Sequence, residues 1–261
     1  MLGVFLQQFF ENGPCLGAEM IEEIFPVVFQ TLGPLAAARA AVGRNASAGT
    51  ARIGWAAVFL KAYALVARET PALRTWLVQG FAGTGLATAA ESVATLAVNR
   101  IEDGEDRLFW ARLAAADAKS LPEIQQFIVD CATKPVEEMF KRQLQLEMVP
   151  GFLRRTILRW NMNSFSRKRA ARIGTFSLST LAGMGATNRF HPTICTTSLS
   201  YAPLDADGNC LVTLIADHRV LDGAVVARAL ARLEEVLCHE MLAELRGLTA
   251  CSPAAAAKAC A

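Results

Sequence analysis

The residues best suited to chemistry lie in Asp217-His218-Arg219-Val220-Leu221-Asp222-Gly223, where an imidazole stands among two carboxylates and a guanidinium. The apolar run Leu211–Ala216 before it reads as a strand, and the residues after Gly223 read as a helix. Strand-to-helix turns often present reactive side chains, and a histidine placed there suits general-base work. Plain structure accounts for the same residues: Asp222 as a helix N-cap, Asp217 paired with Arg219, and His218 as a turn histidine. A second stretch, Gly174-Thr175-Phe176-Ser177-Leu178-Ser179-Thr180-Leu181, alternates Phe176 and Leu178 with Ser177 and Ser179. In a strand over 175–181 both serines face away from the apolar side. A half-exposed strand bearing small polar residues is the plain account of that pattern.

The elements that must position these residues follow from periodicity and punctuation. Ala56, Leu60, Ala64 and Ala67 fall at helical spacing, with Pro71 just beyond. Residues 84–90 read as small and flexible. Val93–Ile101 and Arg107–Leu113 flank Glu102-Asp103-Gly104-Glu105, a hairpin signature. Ser120-Leu121-Pro122-Glu123 has capping-box spacing and opens a helix to about Ala132. Lys134-Pro135 breaks the chain, and 136–147 reads as a further helix. A second hairpin joins 193–204 to 210–216 through Asp205-Ala206-Asp207-Gly208-Asn209. Val226, Leu230, Leu233 and Leu237 mark the buried stripe of a long helix. The first fifty residues are punctuated by Gly13-Pro14 and Gly33-Pro34, with a loop at 43–49. Helices alternating with hairpins predict an α/β two-layer sandwich on a mixed sheet. Residues 50–248 read as one domain, 1–49 as an arm of the same domain, and 249–261 as a flexible tail.

Composition removes several classes. The 261 residues carry 26 Lys+Arg against 24 Asp+Glu, a net charge of +2. That balance argues against a nucleic-acid partner. The apolar fraction of 53% excludes a disordered chain, and its excess suggests a homo-oligomer. No apolar run reaches transmembrane length, because Lys61 interrupts 53–67, and no Lys or Arg precedes Arg39, unlike a secretory signal. The seven cysteines form no Cys-x-x-Cys pair, so they read as a reduced, cytoplasmic set without a metal site.

Together, Gly-Thr-Phe-x-x-Ser and, about forty residues later, Asp-His-Arg-x-x-Asp-Gly resemble the catalytic domain of the dihydrolipoyl acyltransferases of 2-oxoacid dehydrogenase complexes. That family shares its fold with chloramphenicol acetyltransferase. Its second motif is intact at 217–223; its first is looser, with Thr180 and Ala182 at the usual Asn and Gly positions. Leu60-Lys61-Ala62, Pro71-Ala72-Leu73 and Asp117-Ala118-Lys119-Ser120-Leu121 also resemble family segments, so the likeness covers about 50–248. The resemblance implies a chloramphenicol acetyltransferase-like fold and a homotrimer, with the larger cage as a further option. It implies acyl transfer between a coenzyme A thioester and a thiol or hydroxyl acceptor, carried by a small molecule or a lipoyl protein. His218 would be the general base and Ser179 the oxyanion donor. Asp222 would anchor an arginine and stiffen the turn, supported by Asp217, Arg219 and Gly223. The family sets histidine and serine on neighbouring subunits.

The departures are as informative. No Asp-Lys-Ala lipoyl site and no Ala/Pro-rich linker is present, so no covalent lipoyl group is expected on this chain. A catalytically idle scaffold is therefore the alternative function. The family's Asn-Pro-Pro is replaced by Asn188-Arg189-Phe190-His191-Pro192-Thr193. His191 reads as a surface turn histidine or as part of an altered acceptor site. Residues 152–172 carry Arg154, Arg155, Arg159, Arg167, Lys168, Arg169 and Arg172. They read as a solvated face, as a site for coenzyme A phosphates around Arg167, Lys168 and Arg169, or as a membrane-surface helix with Leu153, Ile157 and Trp160 on its apolar side.

Overall fold

The structure is a computed structural model, and it describes residues 22–45, 52–80, 83–165, 168–191 and 193–250. Six strands form one mixed sheet in the order β1-β8-β7-β6-β4-β5. These are β1 (Glu22–Phe29), β4 (Val93–Glu102), β5 (Glu105–Ala114), β6 (Phe176–Leu178), β7 (Thr197–Tyr201) and β8 (Cys210–Asp217). Two further strands among the described residues, β2 (Thr75–Gly80) and β3 (Gly83–Thr88), pair as a separate ribbon. Residues 84–90 are therefore mostly strand, their small side chains paired in register with β2.

Pairing is antiparallel except for β6, which runs parallel to both β4 and β7. A strand with parallel neighbours on both sides is covered on both faces, and Phe176, Ser177 and Leu178 are all buried. The half-exposed strand expected over 175–181 is thus a three-residue buried one. It ends at Leu178, and Leu181 then enters a 3-10 turn at Ala182–Met184.

The two sheet faces differ in chemistry. One carries Phe176, Leu178, Leu199 and Leu214 into the main core. Helices α2 (Trp55–Glu69) and α8 (Gly223–Val236) cover it. The expected stripe Val226, Leu230, Leu233 and Leu237 is buried there. Phe59 stacks on Tyr201 at 4.3 Å and Tyr63 tilts against Phe176 at 4.8 Å. The Tyr63 hydroxyl donates to Thr197 Oγ1 at 2.8 Å, which satisfies the one polar atom this ring brings inside. The opposite face carries a lateral row, Arg112 on β5, Thr95 on β4, Ser177 on β6 and Ser198 on β7, each in direct register with the next.

Local signals explain most boundaries. The β4–β5 hairpin closes with Asp103 and Gly104 both at positive φ, 55° and 78°, as a two-residue turn between right-twisted strands requires. Helix α3 (Leu121–Thr133) starts on a full capping box between Ser120 and Glu123. The helix expected over 136–147 is split into α4 (Val136–Met139) and α5 (Lys141–Glu147). Phe140 interrupts it by turning inward, where it stacks on Phe109 at 4.7 Å. Helices α6 (Gly151–Met162) and α7 (Lys168–Ile173) follow.

Two elements lie within the punctuated first fifty residues. Strand β1 pairs with β8 along its whole length, and Pro26 is tolerated because β1 is an edge. Helix α1 (Gly33–Asn45) packs under α9 (Leu242–Ala250) and takes in the start of the loop expected at 43–49. The rest of that loop, Gly13-Pro14, Arg167 and the tail beyond Ala250 lie outside the described residues.

Candidate active site

Strand β8 delivers Asp217 and His218 to the head of α8. The Val220 and Leu221 amides both return to the Asp217 carbonyl, at 2.9 and 3.0 Å, so the turn is tight. Asp217 is buried and holds Arg219 through Nε at 2.9 Å and Nη2 at 2.8 Å, a two-pronged pair that fixes the turn from beneath. Asp222 caps α8, its Oδ1 accepting from the Val225 amide at 2.8 Å. Among the described residues Asp222 holds no arginine.

His218 stands half open to solvent. Its Nδ1 lies 3.1 Å from the Leu221 carbonyl oxygen and 3.1 Å from Glu23 Oε2. Both oxygens can only accept, apart from a protonated carboxyl, so Nδ1 carries the proton and Nε2 keeps a free lone pair. That is the tautomer a general base needs. Glu23 was missed in the sequence because its strand lies in the punctuated first fifty residues. The signal available was the apolar run that follows Glu22-Glu23.

Ser179 lies elsewhere. Its amide donates to the Leu199 carbonyl at 3.0 Å, one step past the end of β6. By register Ser179 is level with Thr213, whereas Asp217 is four residues further along β8, and β7 lies between. At about 3.3 Å per residue and 4.8 Å per strand, that is roughly 13 Å along the sheet and 10 Å across it. One chain does not bring Ser179 and His218 together.

Ser179 instead shares a cavity of about 540 Å³ with Ser177, Thr193 and His191. Ser177 Oγ donates to Ser198 Oγ at 2.6 Å, and Ser198 Oγ contacts His191 Nε2. Ser198 Oγ can donate to Nε2 or accept from it, so the tautomer of the ring follows the partner that Nδ1 takes. Burial pushes the His191 pKa down to about 4, which keeps the ring neutral. His191 is thus a partly buried member of a hydroxyl network rather than a surface turn histidine.

Of the basic segment, Arg169 is 5% exposed. It donates to the carbonyls of Met162, Gly174 and Ile194 at 3.3–3.5 Å and lies over the Trp76 ring at 4.6 Å. Burial pulls its pKa down to about 10. This arginine ties α7 to the sheet and offers no open face to a phosphate, a correction to its expected role. Lys168 is exposed, and Arg167 lies outside the described residues. Leu153, Ile157 and Trp160 are exposed on α6, and the last two also wall the cavity.

Among the described residues no cluster of His, Cys, Asp and Glu could hold a metal ion, and no helix is long and apolar enough to cross a membrane. Cys131, Cys195, Cys210 and Cys238 are free thiols.

No protein-family model matches the sequence, and no curated protein matches it. Solved structures do match. The cubic core of a pyruvate dehydrogenase multienzyme complex has a TM-score of 0.61 at 19% identity, over 94% of this chain and 89% of that one. A dihydrolipoamide acetyltransferase of Azotobacter vinelandii has a TM-score of 0.62 at 19% identity, over 94% and 89%. The chain has the fold of these catalytic cores. A truncated catalytic core of the 2-oxoacid dehydrogenase multienzyme complex from Thermoplasma acidophilum matches at a TM-score of 0.58 and 19% identity, over 91% and 95%. In the Azotobacter protein, a serine, a histidine and, four residues after it, an asparagine have been investigated for roles in the catalytic mechanism.

Proposed function

We propose that this chain is an acyltransferase that moves an acyl group between a coenzyme A thioester and a thiol or hydroxyl acceptor. The observation that carries this reading is the state of His218. Its Nδ1 is held by Leu221 O and Glu23, and among the described residues nothing takes its Nε2 at the mouth of the strand-to-helix turn. His218 and Asp222 also repeat the four-residue spacing of histidine and asparagine in the Azotobacter acetyltransferase.

In the proposed step His218 Nε2 takes the acceptor proton as the thiol sulfur attacks the thioester carbonyl. Ser179 Oγ donates to the oxyanion that forms, a contribution of about 2.7–4 kcal/mol. The carbon–sulfur bond to coenzyme A then breaks, and the departing thiolate recovers the proton from His218. Because Ser179 and His218 lie apart in one chain, the reading requires a homo-oligomer in which one copy supplies each, a trimer in the resembled family. A cytoplasmic setting agrees with the free thiols.

The test is acyl transfer by purified protein from an acyl coenzyme A panel to dihydrolipoamide, read by mass spectrometry, beside His218→Ala. Transfer that depends on His218 supports the reading; unchanged transfer in the variant refutes it. A catalytically idle scaffold is the second reading, favoured by the same separation of Ser179 and His218. It requires no transfer by any mixture of chains.

A further inference from the structure

The cavity beside Ser179 contains polar atoms that the proposed transfer does not use. Arg112 stands at the β5 end of the lateral row and lines the cavity. Its Nε is buried, and among the described residues it has no hydrogen-bond partner and no carboxylate pairs with its guanidinium. Burial, followed by the nearby charge of Arg142, pulls its pKa down. His191 stands at the β7 end, and its Nδ1 is likewise buried without a partner among the described residues. A desolvated guanidinium N–H and a desolvated imidazole nitrogen each cost free energy while unpaired. The first asks for an acceptor, and the second for an oxygen that can pair with it in either tautomer.

The sheet floor between them carries the Thr95 and Ser177 hydroxyls, and Trp110, Ile157, Leu158 and Trp160 supply an apolar part of the lining. The cavity's glutamate, Glu147, is already held by Arg107 at 2.7 Å and by Gln143 at 3.1 Å. Arg142 and Arg172 also line the cavity, so its charge balance is positive. The Cα rows of Arg112 and Ser198 are three strand spacings apart, about 14 Å. The two groups thus address opposite ends of one elongated ligand.

We propose that this cavity binds a carboxylic acid with an apolar chain and a second oxygen at its far end, the carboxylate on Arg112 and the far oxygen on His191 Nδ1. Such a ligand is either a free oxygenated acid or an acyl group whose far end is a carboxylate and whose thioester carbonyl meets the serine end. The second source rests on the proposed acyl transfer; the binding site does not.

Calorimetric titration tests it with four probes: 8-hydroxyoctanoate, the N-acetylcysteamine half-thioester of suberic acid, octanoate and 1,8-octanediol. The carboxylates should bind roughly tenfold or more tightly than the diol, as a charge-assisted pair predicts. The doubly oxygenated acids should exceed octanoate. Arg112→Gln should remove the advantage over the diol, and His191→Phe should remove the advantage over octanoate. The ligand series on the unaltered protein stands even where a variant fails to fold. A diol that binds as tightly as 8-hydroxyoctanoate, or an Arg112→Gln protein with unchanged affinities, overturns the inference. The tighter of the two oxygenated acids names the source. His218→Ala should bind all four probes normally, so loss of transfer with binding intact separates the failure of the reaction from the failure of the site.

Discussion

Glu23 Oε2 lies 3.1 Å from His218 Nδ1, across the edge pairing of β1 with β8. A carboxylate in that place orients the ring and stabilises the imidazolium that forms when Nε2 takes a proton. Glu23→Gln should lower kcat for acyl transfer by about tenfold, since both side chains are half solvated and the Leu221 carbonyl remains as a partner. KM for acyl coenzyme A should stay unchanged. Steady-state kinetics checks this; a rise in KM with kcat unaltered would place Glu23 in binding instead.

The distance between Ser179 and His218 makes a prediction about mixtures. His218→Ala should lose about 10²–10⁴-fold in kcat, and Ser179→Ala should lose less, about 10²–10³-fold. Chains of the two variants refolded or expressed together should regain activity above either alone, because some sites then draw an intact histidine and an intact serine from different copies. No regain in a mixed oligomer shown to contain both chains would remove the shared-site reading.

Gly174 opens the serine strand at φ +97°, in the left-handed region, where its amide caps α7 on the Ala170 carbonyl at 2.8 Å. A Cβ there would overlap Thr95 Oγ1 and stand 3.2 Å from the Val93 carbonyl. Gly174→Ala should cost about 3 kcal/mol or more in urea unfolding. Gly183→Ala, with open space around it, should be near neutral.

His191 predicts a pH dependence of stability. Its pKa is depressed to about 4 by burial, against about 6.5 when unfolded. Below pH 6.5 the unfolded chain takes up a proton that the folded one refuses, so stability falls as the pH drops from 6.5 to 4, by up to about 3 kcal/mol. Glu22, raised by burial, works in the opposite sense. Unfolding at pH 7 and pH 4.5 should therefore show a smaller loss in His191→Gln than in the unaltered protein, and an equal loss in both would show that His191 does not drive it.

Short-range signals were readable because their physics is local. The Asp103-Gly104 turn, the Ser120–Glu123 capping box and the Val226–Leu237 stripe each declare themselves within a dozen residues. The turn at 217–223 was legible for the same reason, down to the Asp217–Arg219 pair and the Asp222 cap. What sequence reading could not supply was pairing at a distance. Glu23 meets His218 only because β1 adds to the far edge of the sheet. Ser177 looked half exposed because alternation reports which face a residue takes, not what covers that face. Arg169 looked like surface charge until its carbonyl partners and Trp76 closed around it. Arg112, a lone cation in the apolar run of β5, was the available hint of the cavity.

The β1–β8 pairing sets an order of events during synthesis. Glu22 must wait for Asp217 to leave the ribosome before its strand has a partner. At roughly 5–20 residues per second that delay is about 10–40 s. Over that interval the nascent chain holds Phe25, Val27 and Phe29 without their sheet, and Glu23 without its histidine. Contacts of such long sequence separation form slowly even in a finished chain. The histidine turn therefore becomes complete only at the last stage of folding, and a chain stalled before β8 carries no assembled base.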